Sequence, residues 1–282
     1  AAAETLIAKR QPLLFRVHEE PDQEKLNALR DTAQSVGLNL AKGQVLQTRH
    51  LNQLLNNAAG REDAELINLA TLRSMTQAYY GPKNLSHFGL NLKDYAHFTS
   101  PIRRYADLIV HRALITAHGW GDDVLTPDMI EDLEATGNHI SDTERRSMIA
   151  ERDTTDRYLA SYMSERVGQE FSGRIVSIAK FGAFVKLDDT GADGLLPMRE
   201  LGDEYFRYDR DSGTLHGEDT GRLIELGLKV TVKLAEAVPI TGGLLFELID
   251  MDGVKIKKPK SRKRGGSYKR KGKSRKVTRR RK

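Results

Sequence analysis

The sequence predicts an α+β chain in three parts: a mostly helical body over residues 1–166, a small five-stranded OB-type β-barrel over 168–252, and a disordered basic tail over 253–282. Three observations predict it. Apolar residues recur at three- and four-residue spacing as far as about residue 166. After Gly168 the pattern changes to short β-rich runs separated by turn residues. From Lys255 to Lys282 there are 17 Lys or Arg and no Asp or Glu, in a low-complexity stretch that offers nothing to bury.

In chain order, residues 1–16 open with a helical segment, and Pro12 to His18 reads as a short strand. A helix is expected from Pro21 to Val36, with Leu26, Leu29, Ala33 and Val36 on one face and Gly37 ending it. Leu51, Leu54, Leu55 and Ala58 mark a second helix that stops near Gly60, and Asp63 to Tyr80 a third, closed by Gly81-Pro82. Residues 84–99 lack periodicity and read as loop or short strand. Ser100 stands where an N-cap belongs and Pro101 at the first helical position, so a central helix is expected from Pro101 to His118. Its buried stripe would be Ile102, Ala106, Ile109, Ala113 and Ala117. Thr126-Pro127 looks like another cap and start, and Ser141-Asp142-Thr143-Glu144 fits a capping box. The barrel strands are expected near 171–178, 182–187, 194–197, 230–237 and 244–249, with residues 203–220 inserted among them.

Charge and composition narrow the function. The chain carries a formal +6, yet 28 basic against 39 acidic residues precede Lys255, a balance of −11. An acidic body with a cationic tail implies a polyanionic partner for the tail, which would bind RNA or a ribosome by counterion release. There is no cysteine, which excludes disulfides and thiolate metal sites. No apolar run is long enough for a spanning helix and the N-terminus lacks a signal-peptide pattern, so the expectation is a cytoplasmic monomer without a membrane partner.

The chemistry concentrates at Ser100-Pro101-Ile102-Arg103-Arg104. A helix start offers free N–H groups and the positive end of the macrodipole, and an arginine there adds a planar fork for phosphate oxygens. Ser100, Arg103 and Arg104 thus make a candidate phosphate seat, Arg104 facing either a second phosphate or an acidic neighbour. The plain alternative is an exposed Arg103–Asp107 ion pair at i, i+4, worth a few tenths of a kcal/mol. In the barrel, Phe181 and Phe184 are candidate stacking platforms for unpaired bases, with Arg174, Lys180 and Lys186 as cations along the RNA backbone. His87, His97 and His111 lack metal-ligand spacing and read as core or capping groups.

The string HFTSPIRRYADLIVHR, residues 97–112, resembles the closing motif of the ribonuclease II (RNB) family of 3′-to-5′ exoribonucleases, and the likeness is continuous from His87 to Tyr105. AKRQPLLFRVHEEP is similar to a segment in the middle of that family's catalytic domain, so the expectation is that the chain starts inside the domain. Residues 168–201, from GQEFSGRIVSIAKFGAFVKL onward, resemble the RNA-binding domain first recognised in ribosomal protein S-one, with Pro197 where many members carry a histidine. The resemblance implies processive hydrolysis of single-stranded or 3′-tailed RNA to nucleoside 5′-monophosphates. It maps Arg103 to the arginine on the scissile phosphate and Glu151 to a glutamate near the RNA 3′ end. It also implies magnesium held by a cluster of aspartates. Asp122-Asp123 and Asp188-Asp189 sit in turn sequences instead, so no metal ligand is assigned here and the aspartates are expected upstream of Ala1. The competing reading is a non-catalytic RNA-binding or ribosome-associated module.

Overall fold

A computed structural model describes residues 1–40, 46–61, 63–209 and 212–255. The basic tail beyond Lys255, to which the sequence assigns RNA or ribosome binding, lies outside the described residues. The helical body comprises α1 (Ala2–Ala8), β1 (Phe15–Val17), α2 (Gln23–Ser35), α3 (Thr48–Ala58), α4 (Ala64–Ser74), β2 (Tyr79–Gly81), α5 (Tyr105–His118), α6 (Pro127–Glu131) and α7 (Leu133–Ser164). The barrel region follows with β3 (Glu170–Ala179), β4 (Gly182–Leu187), β5 (Asp193–Pro197), β6 (Phe206–Asp209), β7 (Thr214–Gly217), β8 (Leu223–Ile224), β9 (Lys229–Val238), β10 (Gly243–Met251) and β11 (Val254–Lys255).

Most helices form where the apolar periodicity puts them. Asp22 caps α2 by accepting the Lys25 N–H at 2.8 Å, and the α2 stripe Leu26, Leu29 and Ala33 packs with Leu51, Leu54, Ala58 and Ile67 of α3 and α4. Thr126 caps α6 through the Met129 N–H, with Pro127 at its first position. A second apolar cluster joins α1, β1, α5 and the start of α7 through Leu6, Leu14, Val17, Ile109, Val110 and Leu133.

Three local expectations are corrected. The helix expected over 63–80 ends at Ser74, because Tyr79–Gly81 pairs antiparallel with β1, Arg16 opposite Tyr80. The capping box at Ser141 is absent, for α7 runs unbroken through it. Ser141 Oγ donates to Gly137 O at 2.7 Å and accepts the Tyr80 N–H at 2.9 Å. Gly137 is required at that crossing, since a Cβ there would lie 2.7 Å from the Tyr80 carbonyl oxygen. The helix expected from Pro101 begins only at Tyr105, and Ile102 is fully exposed rather than part of the buried stripe. The cause is Asp107, described below.

The barrel forms as expected. Five strands close in the order β9-β3-β4-β5-β10 and back to β9, antiparallel except for β5 beside β10. The inserted stretch contributes the small antiparallel sheet β6-β7-β8, whose Phe206, Leu215 and Ile224 enter the same core as Ile175, Val185, Val232 and Phe246. The end of α7 belongs to that core too, through Leu159, Ala160 and Met163. Arg174 of β3 pairs with Glu65 of α4 at 3.2 Å, and Arg73 of α4 donates to the Val176 carbonyl, so α4 also joins the body to the barrel.

Replacing Ser141 by alanine leaves a buried backbone N–H on Tyr80 without its partner. The Ser141→Ala chain is expected to lose about 1–3 kcal/mol of stability, read as a lower denaturant midpoint with an unchanged slope.

Candidate nucleic-acid interface

The segment from Ser100 to Asp107 is shaped by one buried carboxylate. Asp107 is completely buried. Its Oδ2 accepts the Ser100 backbone N–H at 2.7 Å and Arg104 Nη2 at 2.9 Å, while Arg104 Nε stands 2.9 Å from Oδ1. Drawn back toward Asp107, residues 100–104 fold into a tight turn in which the Arg103 and Arg104 N–H groups both donate to Ser100 O. A helix cannot begin until that turn is complete, which is why α5 starts four residues later than the Ser-Pro pair suggests. Ser100 therefore closes the turn through its backbone and is not an N-cap.

The two arginines are sorted by this turn. Arg104 takes the acidic neighbour, one of its two expected options. The Arg103 side chain projects outward, exposed and with no hydrogen bond or ion pair among the described residues. The i, i+4 pair with Asp107 does not form, because Arg104 occupies that carboxylate. Approaching the turn, His111 Nε2 donates to Phe98 O at 2.8 Å and its ring lies 4.5 Å from the Phe98 ring.

Arg103 opens onto a cleft of about 440 Å³ between the turn and α7, whose walls include Tyr80, Arg104, Tyr105, Thr143, Glu144 and Ser147. The fixed side of this cleft is a network that sequence reasoning missed. Arg16 of β1 forms a two-pronged ion pair with Glu144, at 2.6 and 3.0 Å, and its guanidinium carbon sits 4.6 Å over the Tyr80 ring. Tyr80 Oη lies 2.8 Å from His97 Nδ1. Burial raises the Tyr80 hydroxyl above the ordinary tyrosine range and so keeps it protonated. Burial, reinforced by the charges of Arg104 and Arg16, pushes His97 down to about 4. At neutral pH a neutral imidazole thus accepts the tyrosine proton at Nδ1. Only the closeness of His97 to the Ser100 turn hinted at this role in the sequence. Tyr80 and Arg16 are brought in by strand pairing, which no local pattern reveals.

Glu151 lies on α7 one turn beyond Ser147, exposed and outside the lining of the cleft. In the barrel, Phe181 sits in the β3–β4 turn, half exposed, with its ring edge-on to Phe184 at 6.1 Å. Lys180 is exposed beside it. Cross-strand pairing sets Arg174, Lys186 and Asp193 in one row across β3, β4 and β5. Lys186 is exposed, whereas Arg174 turns to Glu65 and is committed to the body.

This geometry accompanies clear similarities. Residues 1–118 match the RNB domain model and residues 164–237 the S1 RNA binding domain model. The chain is 37% identical to ribonuclease R of Escherichia coli K12 over 97% of its own length and 36% of that protein's. It is also 37% identical to ribonuclease R of Aquifex aeolicus, over 85% of this chain and 34% of that one. The apo structure of Mycoplasma genitalium RNase R superposes with a TM-score of 0.81 at 29% identity, covering 88% of this chain and 39% of that one. The same enzyme in complex with ribose-methylated single-stranded RNA gives 0.80. These matches assign residues 1–118 to the RNB domain family and residues 164–237 to the S1 domain family. The chain spans about a third of the length of the curated relatives it matches.

The RNB resemblance implies magnesium, which needs carboxylates converging on one point. Among the described residues no three His, Asp or Glu side chains converge on a point that could hold a metal ion. Asp107 and Glu144, the carboxylates nearest Arg103, are committed to Arg104 and Arg16. The described residues do not fit a magnesium site. Nor is any helix among them long and apolar enough to cross a membrane.

Since the His97 pKa is about 4 in the folded chain and 6.5 when unperturbed, the unfolded chain binds more protons between those values. Stability conferred by a neutral His97 is therefore present above pH 6.5 and lost as the pH falls toward 4. The melting temperature is expected to fall across that window, and to fall less in a His97→Gln chain, when both are followed by circular dichroism.

Proposed function

We propose that this chain is the RNA-end-binding part of a 3′-to-5′ exoribonuclease that hydrolyses single-stranded or 3′-tailed RNA processively to nucleoside 5′-monophosphates. The observation that carries the reading is Arg103: an exposed guanidinium without a partner among the described residues, at the tip of a turn held by Asp107. Such a group needs no rearrangement to meet a phosphate. Arg103 neutralises the phosphoryl oxygens as water attacks in line, and Glu151, on the helix that closes the cleft, faces the 3′ end. The barrel (168–252) holds upstream nucleotides on Phe181 and Phe184, with Lys180 and Lys186 beside them. Residues 1–166 form the cleft, and the basic tail from Lys255 to Lys282 attracts RNA or ribosomes at longer range.

Magnesium, in this proposal, is held by carboxylates outside these 282 residues. Among the described residues no donor set fits it, and the chain covers only about a third of its relatives. A protein of this kind works in the cytoplasm, as a monomer, without a membrane.

The test uses 5′-labelled single-stranded RNA with magnesium. The complete protein is expected to yield small end products, and the 282-residue chain alone to bind the RNA and leave it intact. Degradation by the chain alone would overturn the placement of the metal carboxylates. Binding without degradation by the complete protein would leave the non-catalytic module standing. In the complete protein, Arg103→Ala is expected to lower turnover by about 100-fold or more while changing RNA affinity far less; equal losses in both would reduce Arg103 to a binding group.

A further inference from the structure

We propose that Tyr158 and Tyr162 of α7 form a stacking platform for unpaired bases, a single-stranded RNA subsite between the Arg103 cleft and the barrel. It rests on the RNA reading above and adds residues that neither the turn nor the barrel motif contains.

The starting observation is exposure. Tyr158 is 75% and Tyr162 51% exposed, although the intervening Leu159 and Ala160, and Met163 just after, pack into the barrel core. Four residues apart, the two side chains leave the helix from one face, at positions about 6 Å apart along its axis. The Arg166 guanidinium lies 3.6 Å over the Tyr162 ring, held there by a 2.7 Å hydrogen bond to Tyr162 O. One ring thus carries a fixed cation beside its exposed surface.

Position along the helix gives the direction. Glu144, Glu151, Tyr158 and Tyr162 follow at intervals of seven, seven and four residues, which at about 100° per residue places them on one face within about 40°. That face begins in the Arg103 cleft at Glu144. It reaches Tyr162 about 27 Å further on.

At its far end the same helix meets the barrel's β9–β10 turn. A Cβ on Gly242 would lie 2.9 Å from Asp156 Cβ, and Ile240 in that turn is 83% exposed. The loop joining the fourth and fifth strands of such a barrel is one of the places where oligonucleotides bind. The Gly242–Asp156 contact lies about 160° round the helix from Tyr158 and about 120° from Tyr162, so the barrel leaves the tyrosine face open along α7 from the Arg103 cleft.

The flanking residues decide the class of ligand. Thr155, Arg157, Ser161 and Glu165 surround the rings and are exposed. Two aromatic faces set among polar side chains lack the contiguous apolar area that a protein partner would cover. They suit flat bases, which stack without regard to sequence.

The test measures anisotropy of labelled single-stranded U20 and A20 with the 282-residue chain. Tyr158→Ala/Tyr162→Ala is expected to weaken both by about tenfold, with the dependence on salt unchanged because no phosphate contact is lost. Tyr158→Phe/Tyr162→Phe should restore binding, since stacking needs the ring and not the hydroxyl. RNA carrying 4-thiouracil should photocrosslink to the peptide containing residues 158–162. Unchanged affinity in the alanine chain and no crosslink to residues 158–162 in the unaltered chain, while Phe181→Ala still weakens binding, would overturn the platform and leave the RNA reading intact. A chain that binds neither oligonucleotide would overturn both. Intact RNA binding with an altered oligomeric state would assign these rings to a second copy of the chain, and so reject the proposal.

Discussion

Asp107 is the constraint on which the site depends. Taking a carboxylate fully out of water costs several kcal/mol, and it persists only where good geometry and further hydrogen bonds offset that cost. Here the offset comes from Arg104 and the Ser100 N–H together. Removing Asp107 would thus do more than delete an ion pair. It would leave Arg104 without its charge partner and Ser100 without an acceptor, and the turn that aims Arg103 would lose its reason to exist. The late start of α5 and the exposure of Arg103 have the same cause.

A similar division of labour runs around the cleft. Arg16 is neutralised by Glu144 and lies over Tyr80, and Arg104 is neutralised by Asp107. Among the charged residues that line the cleft, Arg103 is consequently the uncompensated one. Balanced pairs contribute little beyond their own contacts, and the acidic body repels a polyanion, so attraction to Arg103 is short in range. At physiological salt the screening length is about 8 Å. Under the proposed function, capture of RNA from a distance would fall to the basic residues after Lys255, and Arg103 would act only on a phosphate already delivered to it.

The barrel was legible almost strand for strand, because its strands alternate with turn residues and pair mainly with near neighbours in the chain. The helices were legible wherever one apolar face packed locally, as in α2 and α3. The failures share a different origin. Tyr79–Gly81 is extended because β1, more than 60 residues earlier, pairs with it. Ser141 imitates a cap while serving the Tyr80 N–H. Ser100-Pro101 imitates a helix start while Asp107 pulls the chain into a turn. In each case a long-range or buried polar partner overrides a local preference worth about 1 kcal/mol or less. In the site, the motif singled out Arg103 and the sequence read His97 only as a core or capping group, whereas Arg16 and Tyr80 were invisible until strand pairing brought them together.

The position of the barrel relative to the cleft follows from unequal contributions. Arg174, expected along the RNA backbone, is given up to Glu65, and this pair is partly exposed. Such pairs contribute about 0–1 kcal/mol, too little to hold two units in register. Burial of Leu159, Ala160 and Met163 from α7 in the barrel core contributes more, at about 25 cal/mol per Å² of apolar surface removed from water. The other end of α7 is anchored by Leu133 in the body, and between the anchors residues 146–155 are exposed on every side. A helix in that situation is a spacer. It fixes the distance from the barrel to Arg103 by its length, so whatever strand occupies both must span an interval set by α7.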